Sequence, residues 1–145
     1  EVMSNFDRIS TYHGTSDQFA EDLVDGKVDT SLGGGELGQG FYLGTALHVA
    51  KAWAKQMHHS ESVVEFQIDD DDFWSFDIES LTDVEALEYR SVIRAKGLTR
   101  SYKFSKDIVW GPIVGGPRIY SDQHKWESVN GGSFLNGNNV LRLKR

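Results

Sequence analysis

Three places in this 145-residue chain join a chemically useful side chain to a backbone suited to present it. The first is His13 in TYHGTS. Its imidazole can donate or accept near neutral pH, and the glycine after it lets a ligand reach bare backbone. A turn histidine would account for the same residues without any function. The second is Tyr42 in GQGFYLGT. Alternation along an extended segment puts Phe41 and Tyr42 on opposite sides, one for the core and one for a ligand. The third is the run Asp122, Gln123, His124 with Glu127 close behind, which brings together acids, a base and an amide. If that segment is a strand, Gln123, Lys125 and Glu127 share a face, with roughly 13 Å between the first and the last.

Other chemistries lack their residues. The chain has no cysteine, which removes disulfides, thiolate nucleophiles and Cys-ligated zinc. His58 and His59 are adjacent and point apart on a helix, and there is no H-E-x-x-H, so no metal is expected. Asp69 to Asp72 lack the alternation, glycine and terminal glutamate of a calcium loop. Ser31, Ser60 and Ser62 sit in no G-x-S-x-G elbow. The segment GGGELGQG lacks the Lys and Ser/Thr of a phosphate loop, and no glycine fingerprint follows a strand and opens a helix.

Fifteen basic and 22 acidic residues give a formal charge of -7, which argues against a general nucleic-acid coat. The charges are segregated: 11 carboxylates and no Lys or Arg between Glu61 and Glu88, then six basic residues and no acid from Arg90 to Lys106. Two solvated faces account for this, and so does a docking surface for a protein partner. No apolar run reaches bilayer length, and the start shows no basic segment followed by an apolar one, so neither a membrane segment nor a signal peptide is expected.

The elements that must position these residues follow from caps and periodicity. Length and the lack of repeats or linkers predict one domain over 1–145. After a segment ending at Tyr12, Thr15 and Gln18 can cap a helix that Gly26 stops. Residues 31–45 hold six glycines, which predicts either a mobile loop or a chain pressed against a ligand. Thr45 is placed to cap a second helix, with Ala46, Ala50, Trp53, Ala54 and Met57 on the face that packs on a sheet. Residues 62–68 read as a strand with Val63 or Val64 inward, followed by an acidic turn. Thr82 and Glu85 form a capping box for a helix ending near Gly97. Strands are expected from Asp107 to a stop at Gly111 and Pro112, at 118–120, at 125–128 and at 139–143. Helices early and strands late suggest an α+β fold.

His13-Gly14-Thr15, then a glycine-rich loop, then Gly40 to Thr45 leading into a helix, resembles the H-Y class of ADP-ribosyltransferases, the diphtheria-toxin and PARP-like branch. Tyr42 and Trp53, with ten residues between them, stand at the spacing of that class's two aromatic residues, with Trp in the second place. The stretches VWGPIVGG and YSDQHKW are similar to small bacterial transferase-like domains, and the resemblance spans about residues 9–130.

The resemblance implies a split, two-sheet ADP-ribosyltransferase-like core with flanking helices and NAD, as co-substrate, in the cleft between the sheets. His13 would bond the nicotinamide ribose, Gly14 would read the carboxamide, and Thr15 would reach the adenosine side. Tyr42, beside Phe41, would stack on nicotinamide opposite Trp53. The third motif falls on Gln123 where the class has glutamate, and Glu127 carries the charge that Gln123 lacks. The implied activity is mono-ADP-ribosylation with release of nicotinamide, by a bacterial toxin or effector delivered as the C-terminal part of a larger protein and acting in the cytoplasm of the producing or target cell. Its acceptor would be a macromolecule, protein rather than nucleic acid, with the translation machinery among the targets, and an immunity protein or antitoxin would neutralise it. An NAD glycohydrolase and a non-enzymatic NAD or ADP-ribose binding module are the alternatives on the same fold.

Overall fold

Strand β1 (Arg8–Thr15) pairs along its whole length with β3 (Ser62–Asp69), but with β2 (Phe41–Gly44) only at Tyr12 and Gly44. The computed structural model describes residues 8–115 and 121–145. The remaining strands are β4 (Ile78–Ser80), β5 (Ile108–Pro112), β6 (Asp122–Trp126) and β7 (Leu141–Lys144). Together they make one seven-stranded mixed sheet, ordered β4-β5-β6-β2-β1-β3-β7, in which only β4 and β5 run parallel. The helices are α1 (Asp17–Val24), α2 (Leu47–His58), α3 (Asp70–Trp74), α4 (Asp83–Ala95) and α5 (Val129–Leu135). They are interspersed with the strands along the chain, so the expected segregation of helices early and strands late is not found. The strand expected at 118–120 lies outside the described residues.

Both faces of the sheet are covered. On one, Phe41, Val64, Phe66 and Trp126 pack with Leu23 of α1, Phe73 of α3 and Leu135 of α5. On the other, Val109 packs with Leu37, Leu81 and Ala86 of α4. Val63 and Val64 are therefore both buried, one towards each face, as a central strand requires.

Local hydrogen bonding explains where the elements begin. Ser16, not Thr15, caps α1 by accepting from the Phe19 amide, and Thr15 stays in the strand. Gly26, at φ 83°, follows the end of that helix as expected. Thr45 does not cap α2. Its hydroxyl accepts from Asp122 N and donates to Asp122 O, tying β2 to β6. The Thr82–Glu85 capping box is present. The expected acidic turn is α3, where Asp69 caps and Asp70, Asp71 and Asp72 occupy the first turn, the favourable end of the helix dipole for negative charge. Part of the charge segregation likewise falls along α4, with Asp83 and Glu85 in its first turn and Arg94 in its last.

Helix α2 lies directly on β1. A Cβ at Gly14 would stand 2.0 Å from the Ala50 carbonyl oxygen, so the approach requires glycine in the strand and small residues on the helix. Ala50 and Ala54 are buried there, whereas Trp53 and Met57 are 55% and 54% exposed. The sequence places Trp53 on the packing face; the contact is too close to admit an indole, and Trp53 falls on its flank. Gly14→Ala should lower stability by at least about 1–3 kcal/mol through overpacking, measured as a shift in the urea midpoint at unchanged m-value.

Candidate functional site

Where β1 and β2 stop pairing, a side chain bridges them. His13 Nδ1 lies 2.7 Å from the Tyr42 carbonyl oxygen. A carbonyl only accepts, so Nδ1 carries the hydrogen and Nε2 keeps a lone pair. The ring stacks on Phe41 at 4.4 Å and meets Phe19 edge-on at 6.5 Å. Burial, with a smaller push from His58, outweighs the Tyr42 carbonyl and lowers the His13 pKa to about 4. At neutral pH this imidazole is therefore uncharged and offers an acceptor.

Tyr42 lies on the opposite face, beneath the glycine-rich segment. Its hydroxyl donates to Gly38 O at 2.6 Å and accepts from Leu37 N at 3.0 Å. Burial raises its pKa, keeping it a phenol. A Cβ at Gly35 would stand 2.8 Å from the ring, and one at Gly40 would stand 2.5 Å from the Lys125 stem. The loop is thus pressed against the protein's own Tyr42 and Lys125, and further bonds from Gly35 N to Thr99 O and Gln39 N to Tyr102 O hold it there.

Strand β6 divides the late polar run between the two faces. Gln123 Nε2 donates to Glu36 Oε1 at 3.0 Å, and the same oxygen accepts from Val114 N at 3.1 Å. Arg90 Nε stands 3.4 Å from Glu36 Oε2. Lys125 is 0% exposed and its Nζ lies 2.6 Å from Glu127 Oε1. Glu127 also accepts from the amides of Phe104 and Lys106, and Lys125 lies 4.9 Å from the Phe104 ring centroid. Burial lowers the Lys125 pKa against the opposing pull of Glu127. His124 points to the other face, buried between Phe73 and Trp110, with burial lowering its pKa to about 4 despite nearby Asp122. Asp122 itself accepts from Trp110 Nε1 at 3.0 Å.

The expected site residues are brought onto neighbouring strands but not all onto one surface. Gln123, Lys125 and Glu127 share a face, as alternation requires. The His13 ring lies on the Phe41 side of the sheet, while Tyr42 and Gln123 lie on the other. Phe41 and Thr15 are buried and Gly14 is covered by α2. Tyr42 has Gly35 on its ring, and half-exposed Trp53 projects from α2.

The residue that sequence reasoning missed is Glu36, the partner of Gln123. Glu36 carries a signal, as the only charged residue among 31–45. Tyr12, Gly44, Gln123 and Gly111 are paired in one row across four strands. One residue further along β2 and β6, Thr45 and Asp122 begin a groove of about 680 Å³, walled also by Asp83, Leu87, Pro112 and Ser121.

No family model matches the chain, and no curated protein matches it. The class defined by the fold is a mixed α/β protein built on a seven-stranded mixed sheet. Among the described residues no group of three or more His, Cys, Asp or Glu gathers as for a metal ion, and no helix is long and apolar enough to cross a membrane.

Two outcomes test these assignments. Glu127→Gln should destabilise the fold by about 3–5 kcal/mol, because Lys125 is left buried without its counter-charge; equilibrium unfolding in urea measures it. Acid should also destabilise. His13 and His124 have folded pKa values of about 4 against 6.5 for the free side chain, so the unfolded chain binds protons first as pH falls. Stability is full above pH 6.5 and declines towards pH 4, by up to about 1.4 kcal/mol per pH unit for each histidine. Unfolding midpoints across this range should show a shallower decline in His124→Phe than in wild type.

Proposed function

We propose that the protein is an NAD-consuming mono-ADP-ribosyltransferase whose cleft lies at the narrow join of β1 and β2. The observation that carries this reading is that His13, Tyr42 and Gln123, the three residues of the H-Y resemblance, stand on the neighbouring strands β1, β2 and β6, the first two of which are held by one register pair. A sheet joined so narrowly is the arrangement a split core needs. On the Tyr42 face Gln123 Oε1 is left as a neutral acceptor suited to a ribose hydroxyl, while the His13 ring, with Nε2 free to accept, lies on the opposite face.

In the reaction the bond between nicotinamide and ribose lengthens, positive charge builds on the ribose, and nicotinamide leaves with the bonding electrons. A nucleophile of the acceptor then bonds the ribose carbon and gives up its proton. The resemblance assigns Tyr42 and Trp53 as the walls for the flat leaving group, which requires the glycine-rich loop to give up its contact with the Tyr42 ring, and hydrogen bonds accepted from the ribose hydroxyls hold the sugar for attack. The groove bearing Asp83 and Asp122 suits a basic segment of a protein acceptor. A bacterial toxin or effector acting in a cytoplasm, countered by an immunity protein or antitoxin, is the setting the resemblance supplies.

One observation favours a second reading, a non-enzymatic NAD or ADP-ribose binding module. Glu127, the carboxylate on the same face of the chain as Gln123, has both oxygens committed to Lys125 and to backbone amides. Incubation with cell lysate and NAD labelled in its ADP-ribose part separates the possibilities. Nicotinamide release with label on a macromolecule is expected, and Gln123→Ala should reduce that release by roughly 10²-fold. Free labelled ADP-ribose alone selects hydrolysis, binding without release selects the module, and the absence of any binding overturns the reading.

A further inference from the structure

The end of α4 builds a groove. Gly97, at φ 66°, is the left-handed residue after the cap Lys96, and two bonds close the helix: Leu98 N donates to Ile93 O at 2.8 Å and Gly97 N to Arg94 O at 3.1 Å. This pairing satisfies two terminal carbonyls and turns the chain back along the helix it has just left. Residues 98–102 form a second wall, tightened by bonds from Ser101 N and Tyr102 N to Leu98 O. Between the walls lies a hollow of about 170 Å³ whose apolar lining is Tyr89, Val92, Ile93, Leu98 and Tyr102. Glu88 and Lys96 are the charged residues that line it.

The groove is formed before anything fills it. Tyr89 and Tyr102 each pack against Phe104, with ring centroids 4.7 and 5.2 Å away. The second wall is braced by the glycine-rich loop, since Thr99 O accepts from Gly35 N and Tyr102 O accepts from Gln39 N. Val92, on the helix wall, stays 51% exposed. A rigid apolar site costs an incoming side chain little further ordering of the protein. An apolar hollow of roughly 150 Å³ admits a benzene ring, so this one matches a single leucine or aromatic side chain.

The charge around the groove has one sign in excess. The stretch from Arg90 to Lys106 carries six basic residues and no acid. Arg90 pairs with Glu36 and Lys106 with Asp77. Among the described residues no carboxylate lies within ion-pair distance of Arg94, Lys96, Arg100 or Lys103. Lys96 lines the groove, and exposed Arg100 and Lys103 lie on and just beyond its second wall. An apolar centre with a charged rim is the anatomy of a protein-docking site, and cations without partners select an acidic occupant. A nucleic acid fits less well, because a polyanion would meet a chain of net charge -7 and the Glu88 carboxylate at the groove itself.

We propose that the groove between α4 and residues 98–102 docks an acidic segment of a partner protein, which inserts one leucine or aromatic side chain between Val92 and Tyr102 and sets its carboxylates against Lys96, Arg100 and Lys103.

The test is titration of ¹⁵N-labelled protein with a short synthetic peptide of Glu, Ser and Gly carrying one central Leu, with the same peptide carrying Ala in its place, and with single-stranded oligothymidylate. The amides of Val92, Leu98 and Tyr102 should shift with the Leu peptide. The Ala peptide should bind about tenfold more weakly, the loss expected for one buried leucine side chain. Raising the salt concentration should weaken the Leu peptide further. Val92→Lys is the decisive variant, because it adds a cation while removing the apolar wall. At this exposed position the thermal midpoint should stay within about 2 °C of wild type, and the Leu peptide should bind at least about fivefold more weakly. Val92→Gln takes its place should lysine impair folding. Equal binding of the two peptides, tighter binding by Val92→Lys, or shifts confined to other parts of the protein overturns the groove as the seat. Tighter binding of the oligothymidylate than of the Leu peptide overturns the protein partner in favour of nucleic acid, and no shift with the Leu peptide at millimolar concentration overturns the proposal.

Discussion

The bond from the His13 imidazole to the Tyr42 carbonyl is the interaction on which the site's layout depends. Strands β1 and β2 are neighbours in the sheet order yet share one register pair, so a backbone ladder does not hold them together beyond Tyr12 and Gly44. The side chain takes over at the point of divergence and, because it donates from Nδ1, does so without charge. Burial between Phe41 and Phe19 enforces that neutrality. A protonated ring there would place a cation among aromatic side chains, a cost the fold avoids by keeping the pKa low.

The two faces of the sheet are specialised by the same logic. The face carrying Phe41, Phe66 and Trp126 is apolar and closed, and even His124 is held there as an uncharged ring among aromatics. The other face carries the polar groups, each satisfied by a neighbour brought from far along the chain. Glu36 reaches Gln123 and Val114 N, and Glu127 reaches Lys125 and the amides of Phe104 and Lys106. A buried ion pair such as Lys125 and Glu127 adds little net stability over an apolar pair, but losing one partner is costly. These contacts therefore act less as a source of stability than as constraints that fix the glycine-rich loop and the 103–106 segment over the sheet.

Small residues decide how closely the layers approach. Gly14 with Ala50 and Ala54 lets α2 touch the backbone of β1, and Gly35 lets the loop lie flat on Tyr42. These contacts use the glycines to pack the protein against itself. Gly44 differs, since among the described residues an added Cβ there would meet only ordinary contacts, Tyr12 O at 3.9 Å and Asp122 O at 4.0 Å.

Much of this was legible in the residues alone. Local rules act over a few positions, so the Thr82–Glu85 capping box, the stop at Gly26, the β3 strand and the opposite facing of Phe41 and Tyr42 could all be read directly. The alternation of Gln123, Lys125 and Glu127 was equally local. What the sequence could not determine is which distant group meets each side chain. Thr45 looked like a helix cap because nothing nearby shows that Asp122, on another strand, takes its hydroxyl. Trp53 fitted the helical stripe, but the approach of α2 to β1, so close that a Cβ at Gly14 would stand 2.0 Å from Ala50 O, excludes it from the contact. Glu36 stood alone among glycines, and only the crossing of the loop over β6 made it the partner of Gln123. Caps and periodicities are properties of neighbouring residues, whereas these pairings depend on the order of strands in the sheet, which tertiary packing alone decides.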